Sequence, residues 1–329
     1  MADLSDPQAV VSGGQSTPPI GQAPSGLSSH RLPLAGVILL VVLTIVWGAN
    51  WPVNKIALLE IPIFTFRAIV ALAAAGAVLL LARVAGHSLY VPPDQRRWLV
   101  WVALLNITGW MYFSALALTL IPSGHTAVIA NTMPLWAFLI AIPVLKERPH
   151  TIHWFGLVLG ISGVLLLAGN DFHWHGDAHA GTAAVLAGAI CFAGGTVMQK
   201  RAPWRMPMLT VIGWQFLIGG IPLTIAALSD IDQLKPVSFA AVIAALYTVL
   251  VGMAFGYWAW LKIVGMVPAG VASLTTLAIP AVSLAAGAFL LDESVGWVEI
   301  AALALVVGAL MTVLPRPSIL FNRQPRQRS

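Results

Sequence analysis

IPSGHTAVIANTMPLWAFLIAIPVLKER at residues 121–148 and VPAGVASLTTLAIPAVSLAAGAFLLDES at residues 267–294 carry the same landmarks in the same order. Ile121-Pro122-Ser123-Gly124 matches Val267-Pro268-Ala269-Gly270. Without a gap, Pro134 then matches Pro280, Leu145 matches Leu291 and Glu147 matches Glu293. Between its landmarks each stretch is apolar for about the 20 residues that cross a bilayer. A neighbouring register brings Trp47-Gly48-Ala49 near Phe192-Ala193-Gly194 and Lys55 onto Lys200, and a third sets Arg67 against Gln215. Proline, glycine and glutamate in fixed order over one helix and its flanks mark an internal duplication.

Outside these stretches the composition agrees. Of 329 residues, 59% are hydrophobic and 9% charged, too little polar surface to coat a soluble globule of this size. Turn residues divide the apolar runs into helices at about 34–54, 61–83, 98–119, 122–144, 152–168, 180–200, 208–228, 237–261, 268–290 and 296–314. With a cytoplasmic N-terminus, one side of the membrane receives Arg31, Arg83, Arg96, Arg97, Lys146 and Arg148. It also receives Lys200, Arg201, Arg205, Lys262 and the four arginines from Arg316 to Arg328. The other side keeps only Lys55 and Lys235, and Arg67 lies within a span, as the positive-inside rule requires.

Each half holds an odd number of spans, so the second sits upside down relative to the first. The expected fold is an all-α membrane protein of ten transmembrane helices arranged as two inverted five-helix repeats, with cytoplasmic N- and C-termini. Residues 1–33, rich in Pro, Ser, Gly and Gln, are expected to form a disordered cytoplasmic tail. The first repeat covers 34–168, the second 169–314, and 315–329 form a basic cytoplasmic tail. Inverted repeats suit alternating access around a midplane site. They also occur in channels, but no filter-like loop or ring of repeated polar residues is visible.

Several functions lack their residues. The net charge is +5, but the basic residues stand singly or in small groups between spans, which does not make a nucleic-acid surface. Cys191 is the lone cysteine, so no internal disulfide or multi-cysteine metal site is expected. The histidines of His173-Trp174-His175-Gly176-Asp177-Ala178-His179 read as a polar loop tip rather than a metal site. There is no Gly-x-x-x-x-Gly-Lys-Ser/Thr loop for ATP. A membrane-embedded enzyme would need paired carboxylates, approached only by Asp230 and Asp232. No catalytic residue, metal or cofactor is therefore expected.

Trp47-Gly48-Ala49-Asn50-Trp51 closing helix 1, Phe66-Arg67 in helix 2, and Pro122 to Pro134 leading to Lys146-Glu147-Arg148 recur in part as Pro268 to Pro280 leading to Asp292-Glu293. In this order the chain resembles the drug/metabolite transporter superfamily, specifically its ten-helix EamA family. The resemblance covers about Leu34 to Leu314. It implies a basket of helices in the inner membrane, a central cavity lined mainly by helices 1, 3, 4, 6, 8 and 9, and export of amino acids or related metabolites.

Polar side chains within spans are the candidates for solute contact, because isolated burial in hydrocarbon costs about 2.5 to 3.5 kcal/mol even on mild scales. Arg67 either bonds the carbonyls of a neighbouring helix end or meets the solute, and Gln215 is its neutral counterpart. Asn50 flanks Pro52, where helix 1 is expected to kink or unwind. His125 and Asn131 precede Pro134, and Thr275 and Thr276 precede Pro280, at paired helix breaks of the kind that mark binding sites. Asn106, Trp110 and Tyr112 in helix 3 and Tyr257 and Trp258 in helix 8 complete the substrate set, although aromatics near span ends also serve as interfacial anchors. Pro52, Pro134, Pro280, Glu147 and Glu293 are the expected hinge and gate residues. A cavity of amides, hydroxyls and aromatics with little fixed charge suits amino acids, including aromatic or other apolar ones. Sugar phosphates, the alternative within the superfamily, call for more cations. The expected partners are a small-molecule substrate and membrane lipids, with the chain a monomer or homodimer.

Overall fold

The computed structural model describes residues 34–146, 151–171, 177–266 and 274–313. Among them the chain is helical and contains no strand. The rods are α1 (Leu34–Leu58), α2 (Ile63–Val84), α3 (Pro93–Leu120), α4 (Ser123–Leu145) and α5 (Thr151–Asp171), then α6 (Ala178–Arg201), α7 (Met208–Gln233), α8 (239–266), α9 (Leu274–Leu291) and α10 (Trp297–Val313). Eight helices, α1 to α8, are long and apolar enough to cross a membrane; α9 and α10 contribute shorter apolar stretches. Large apolar side chains such as Leu34, Val84, Phe239 and Phe289 face outward, while Arg67, Asn106, Ser123 and Gln215 are buried. That inversion of the soluble pattern suits lipid as solvent.

Prolines set several helix starts. Pro62, Pro122 and Pro207 occupy the N-cap positions of α2, α4 and α7 in extended backbone, and Pro93 opens α3; a missing N–H costs nothing where the first turn has no acceptor for it. α3 starts a full turn earlier than hydropathy suggests, because Pro93-Asp94-Gln95-Arg96-Arg97 is helical yet polar. α4 and α9 end identically, on Lys146 (φ 57°) and Asp292 (φ 52°), the two non-glycine residues of positive φ among the described residues. Such left-handed residues end a helix abruptly.

α1 continues unbroken through Pro52, so its end is not unwound. α4 does break, at Asn131-Thr132 before Pro134, where Asn131 Nδ2 donates to the Ala127 carbonyl (2.7 Å) and Thr132 Oγ1 to that of Ile129 (2.6 Å). α9 passes through Pro280 without a break. Two irregularities absent from the sequence reading lie in α3 and α8: π-helical segments at Leu104–Gly109 and Thr248–Phe255, at corresponding places in the two halves.

Packing obeys a two-fold relation. The most extensive pairs are α2 with α7 and α5 with α10; α1 packs on α9 and α8, and α6 on α4 and α3. Exchanging each helix for the one five places on leaves this pattern unchanged. α2 and α7 run antiparallel: Thr65 at the start of α2 donates through its N–H (2.8 Å) and hydroxyl (3.1 Å) to Asp230 near the end of α7. Glycines let backbones approach. A Cβ at Gly156 of α5 would overlap Thr312 of α10 and lie 3.1 Å from the Ala309 carbonyl, whereas one at Gly76 of α2 would meet nothing.

Gly156→Leu is expected to separate α5 from α10 and destabilise the protein by about 1 to 3 kcal/mol. Gly76→Leu, facing lipid, should leave stability unchanged. Thermal unfolding in detergent, followed by loss of the monodisperse chromatographic peak, checks both.

Candidate functional site

A cavity of about 570 Å³ lies between α1, α2, α3, α6, α7 and α8. Its walls are aromatic: Trp110 of α3 meets Trp51 of α1 (ring centroids 5.9 Å) and Phe192 of α6 (5.6 Å) edge to face. Phe216 and Trp260 extend this surface, and Met111, Met208 and Met253 fill its corners. Thioethers are adaptable fillers of irregular space.

Polar groups cross the cavity in two matching arrangements. Arg67 of α2, 5% exposed, donates from Nη1 to Asn54 Oδ1 of α1 (3.1 Å) and from Nη2 to Ser114 Oγ of α3 (3.4 Å). Asn54 Nδ2 donates in turn to the Asn50 carbonyl (2.5 Å). Gln215 of α7 donates from Nε2 to Gln199 Oε1 of α6 (3.1 Å), and Asn106 Nδ2 shares that acceptor at 3.4 Å. The register that lays Lys55 on Lys200 lays Asn54 on Gln199, and Gln215 is the counterpart of Arg67. The same hydrogen bond is thus made once in each half, by a guanidinium in the first and a neutral amide in the second.

A second duplication concerns close approach. Asn50 Oδ1 faces Gly252 of α8, where a Cβ would stand 2.7 Å away, and Asn106 Oδ1 faces Gly195 of α6, where a Cβ would overlap it. In the repeat registers Asn50 falls on Gly195 and Asn106 on Gly252. Each crossing therefore sets an asparagine of the first half into space left by a glycine of the second. Asn106 and Gly252 both lie in the π-helical segments, whose altered winding re-aims side chains.

At one end, beyond the cavity-lining Asn54 of α1, stands a polar cluster. Lys55 Nζ donates to the Ile121 carbonyl and to Glu293 Oε1, both at 3.0 Å. Glu293 also accepts from the Ser123 N–H (2.7 Å), the Ser123 hydroxyl (2.7 Å) and the Gly124 N–H (3.2 Å). Burial pushes the Glu293 carboxyl up, but the Ser123 N–H, the Lys55 charge and the Ser123 hydroxyl outweigh it and hold the group below its ordinary value of 4.5. Beside this cluster, His125 Nε2 lies 3.1 Å from Glu299 Oε1, both side chains buried. At the other end the cavity reaches Thr196 and Lys200, exposed residues in the last turns of α6. On that face Arg205 pairs with Asp94 at 2.6 Å.

Of the residues proposed from sequence, Asn50, Arg67, Asn106, Trp110 and Gln215 line this one cavity. Tyr112 stacks on Phe64 (5.2 Å) instead. His125 meets Glu299, Asn131 bonds within the break of α4, and Trp258 is exposed on the outer flank of α8. Glu293 belongs to the polar cluster with Lys55 and Ser123. Glu147, the side chains of Tyr257, Thr275 and Thr276, and His173 to Gly176 lie outside the described residues. Thr196, Gln199 and Phe192 were missed by the sequence reading. Gln199 was legible in principle, as the repeat counterpart of Asn54.

The EamA-like transporter family model matches the chain twice, over residues 34–169 and 179–314. The uncharacterized transporter YvbV of Bacillus subtilis (strain 168) is 27% identical over 84% of this chain and 90% of its own. A probable amino-acid metabolite efflux pump of Escherichia coli (strain K12) is 24% identical over 84% and 93%. The uncharacterized inner membrane transporter YedA of the same strain is 26% identical over 86% and 90%. A protein crystal structure shares the fold with a TM-score of 0.61 at 19% identity, over 84% of this chain and 96% of that one.

Because its folded-state value is depressed, Glu293 stabilises the protein above the ordinary carboxylate range, and that contribution disappears as pH falls through the depressed value. Melting temperature in detergent should fall as pH drops from about 5 through and below the ordinary carboxylate range. Glu293→Gln should lose about 1 to 3 kcal/mol at neutral pH and flatten the profile over that window.

Proposed function

The chain belongs to the EamA-like transporter family, and from that premise we propose that it is a secondary carrier exporting amino acids or their close metabolic derivatives across the inner membrane. The observation that carries this reading is the cavity: about 570 Å³, walled by Trp51, Trp110 and Phe192, and crossed by amides and one guanidinium. Ligand pockets for small molecules have this size and this mix of apolar wall and few polar anchors. The relative named as a probable amino-acid metabolite efflux pump, aligned along nearly its whole length, supports the same solute class. Sugar phosphates fit less well, since two or more negative charges call for a cluster of cations, and among the described residues the cations lining the cavity are Arg67 and Lys200.

In this reading α9 and α10 also span the bilayer, giving ten spans with both termini cytoplasmic. Residues 1–33 and 315–329 are tails, and 34–168 and 169–314 are the halves that rock against each other. The Asp94 face is then cytoplasmic, and solute enters there past Lys200 and Thr196. The Lys55–Glu293 cluster is the outer gate. Release outward requires that cluster to part while the cytoplasmic ends of α3, α6 and α8 close in. Pro134 beside the break in α4, and Pro52 and Pro280 within α1 and α9, supply the hinges. Energy comes from solute or ion gradients rather than ATP. The working unit is a monomer or homodimer in lipid, with a small molecule as its partner and no nucleic acid.

Counterflow in liposomes containing the purified chain tests the proposal, with labelled amino acids and their deaminated and acylated derivatives run beside sugar phosphates and quaternary amines. Exchange of the amino-acid group, diminished in Trp110→Ala, is the expected outcome. Exchange of sugar phosphates alone, or of nothing, would overturn it.

A further inference from the structure

Arg67 is buried within the membrane region; its hydrogen-bond partners, Asn54 Oδ1 and Ser114 Oγ, are both neutral, and the Phe66 ring centroid lies 5.2 Å from the guanidinium carbon. Its Nε has no partner. No carboxylate lines the cavity among the described residues. Among the described residues the buried and part-buried carboxylates of the helix ends lie elsewhere and are engaged: Asp230 caps α2, Glu293 holds Lys55 and the start of α4, and Glu299 meets His125. A guanidinium kept from water without a counter-ion is costly, and the bond it makes does not require its charge. Gln215 makes the equivalent bond to Gln199 with a neutral amide.

We infer that the charge on Arg67 is kept for the solute, and that the cavity selects monocarboxylate anions with an apolar body and no ammonium group, such as deaminated or N-acylated amino acids. This rests on the carrier reading above and narrows it. Arg67 lines the cavity, and the carboxylate docks there on the Nη hydrogens that Asn54 and Ser114 leave free, in the charge-assisted geometry at which arginine excels. The apolar body lies against Trp51 and Trp110. An ammonium group would meet acceptors already engaged: Asn54 Oδ1 accepts from Arg67, whose like charge stands beside it, and Gln199 Oε1 from both Gln215 and Asn106. Asn50 Oδ1 and Asn106 Oδ1 are buried against Gly252 and Gly195. A zwitterion entering this cavity gains at its carboxylate and loses at its amine.

Three probes on one skeleton separate the possibilities: 3-phenylpropanoate, phenylalanine and 2-phenylethylamine, compared by counterflow into liposomes containing the full chain. The anion should have the lowest half-saturating concentration, the zwitterion a higher one and the amine the highest. Arg67→Gln removes the charge and leaves an amide donor, and combining it with Asn54→Gln reproduces in the first half the amide pair that the second half already uses. It should weaken the anion about 10 to 100-fold, the ordinary weight of a hydrogen bond to a charged group, and leave the amine unchanged. Should the variant fail to assemble, the order in the unmodified protein decides by itself. The inference is overturned if phenylalanine or the amine exchanges more tightly than the anion, or if Arg67→Gln leaves the order as it was. Exchange of phenylalanine without the anion would overturn this inference alone and leave the amino-acid carrier standing. Exchange of none of the three would overturn both.

Discussion

In hydrocarbon a polar group has no water to fall back on, and each one must be answered from within the chain. That constraint organises this molecule. The buried guanidinium of Arg67 is answered by Asn54 and Ser114, so α1, α2 and α3 are tied at one level. Gln215, Gln199 and Asn106 tie α7, α6 and α3 at the corresponding level of the other half. The free N–H groups at the start of α4 are answered by Glu293, which arrives from the α9–α10 connection and brings Lys55 with it. Apolar packing joins the helices, but these polar bonds set where each stands.

Much of this was legible in the sequence, and the illegible part has physical causes. Apolar runs, prolines at helix starts and the placement of basic residues report directly on solvent, so the extents of α1, α2 and α6 came out nearly right. The polar first turn of α3 was lost because hydropathy sees the membrane and not the helix. The π-helical segments Leu104–Gly109 and Thr248–Phe255 left no trace, since one extra residue in a turn changes no composition. His125 was expected near solute because it precedes the helix break at Pro134; its neighbour Glu299 lies far along the chain and meets it only in the fold. Asn131, read as a solute ligand, spends its amide on the helix break that Pro134 creates. Arg67, Asn50, Asn106, Trp110 and Gln215 came together because a polar side chain inside a span has few places to point other than inward.

The two halves share a plan but not a charge. Backbone features repeat faithfully: the left-handed ends at Lys146 and Asp292, and the π-helical windings of α3 and α8. Side chains at the cavity diverge, with Arg67 matched by Gln215, Asn50 by Gly195 and Asn106 by Gly252. A symmetric scaffold supplies two equivalent ways to open. An asymmetric lining gives the solute one orientation, because its charged end has one place to go.

The reciprocal seating of asparagine in glycine also bears on how such a chain can be built. Two copies of the first half would bring Asn50 against Asn106 at both crossings, with amides competing for space that a glycine now vacates. Two copies of the second half would leave Gly195 against Gly252, a hole at each crossing. Neither half can serve as its own partner. Fusion into a single chain is therefore more than a convenience of synthesis, for it guarantees that each protrusion meets the recess shaped to receive it.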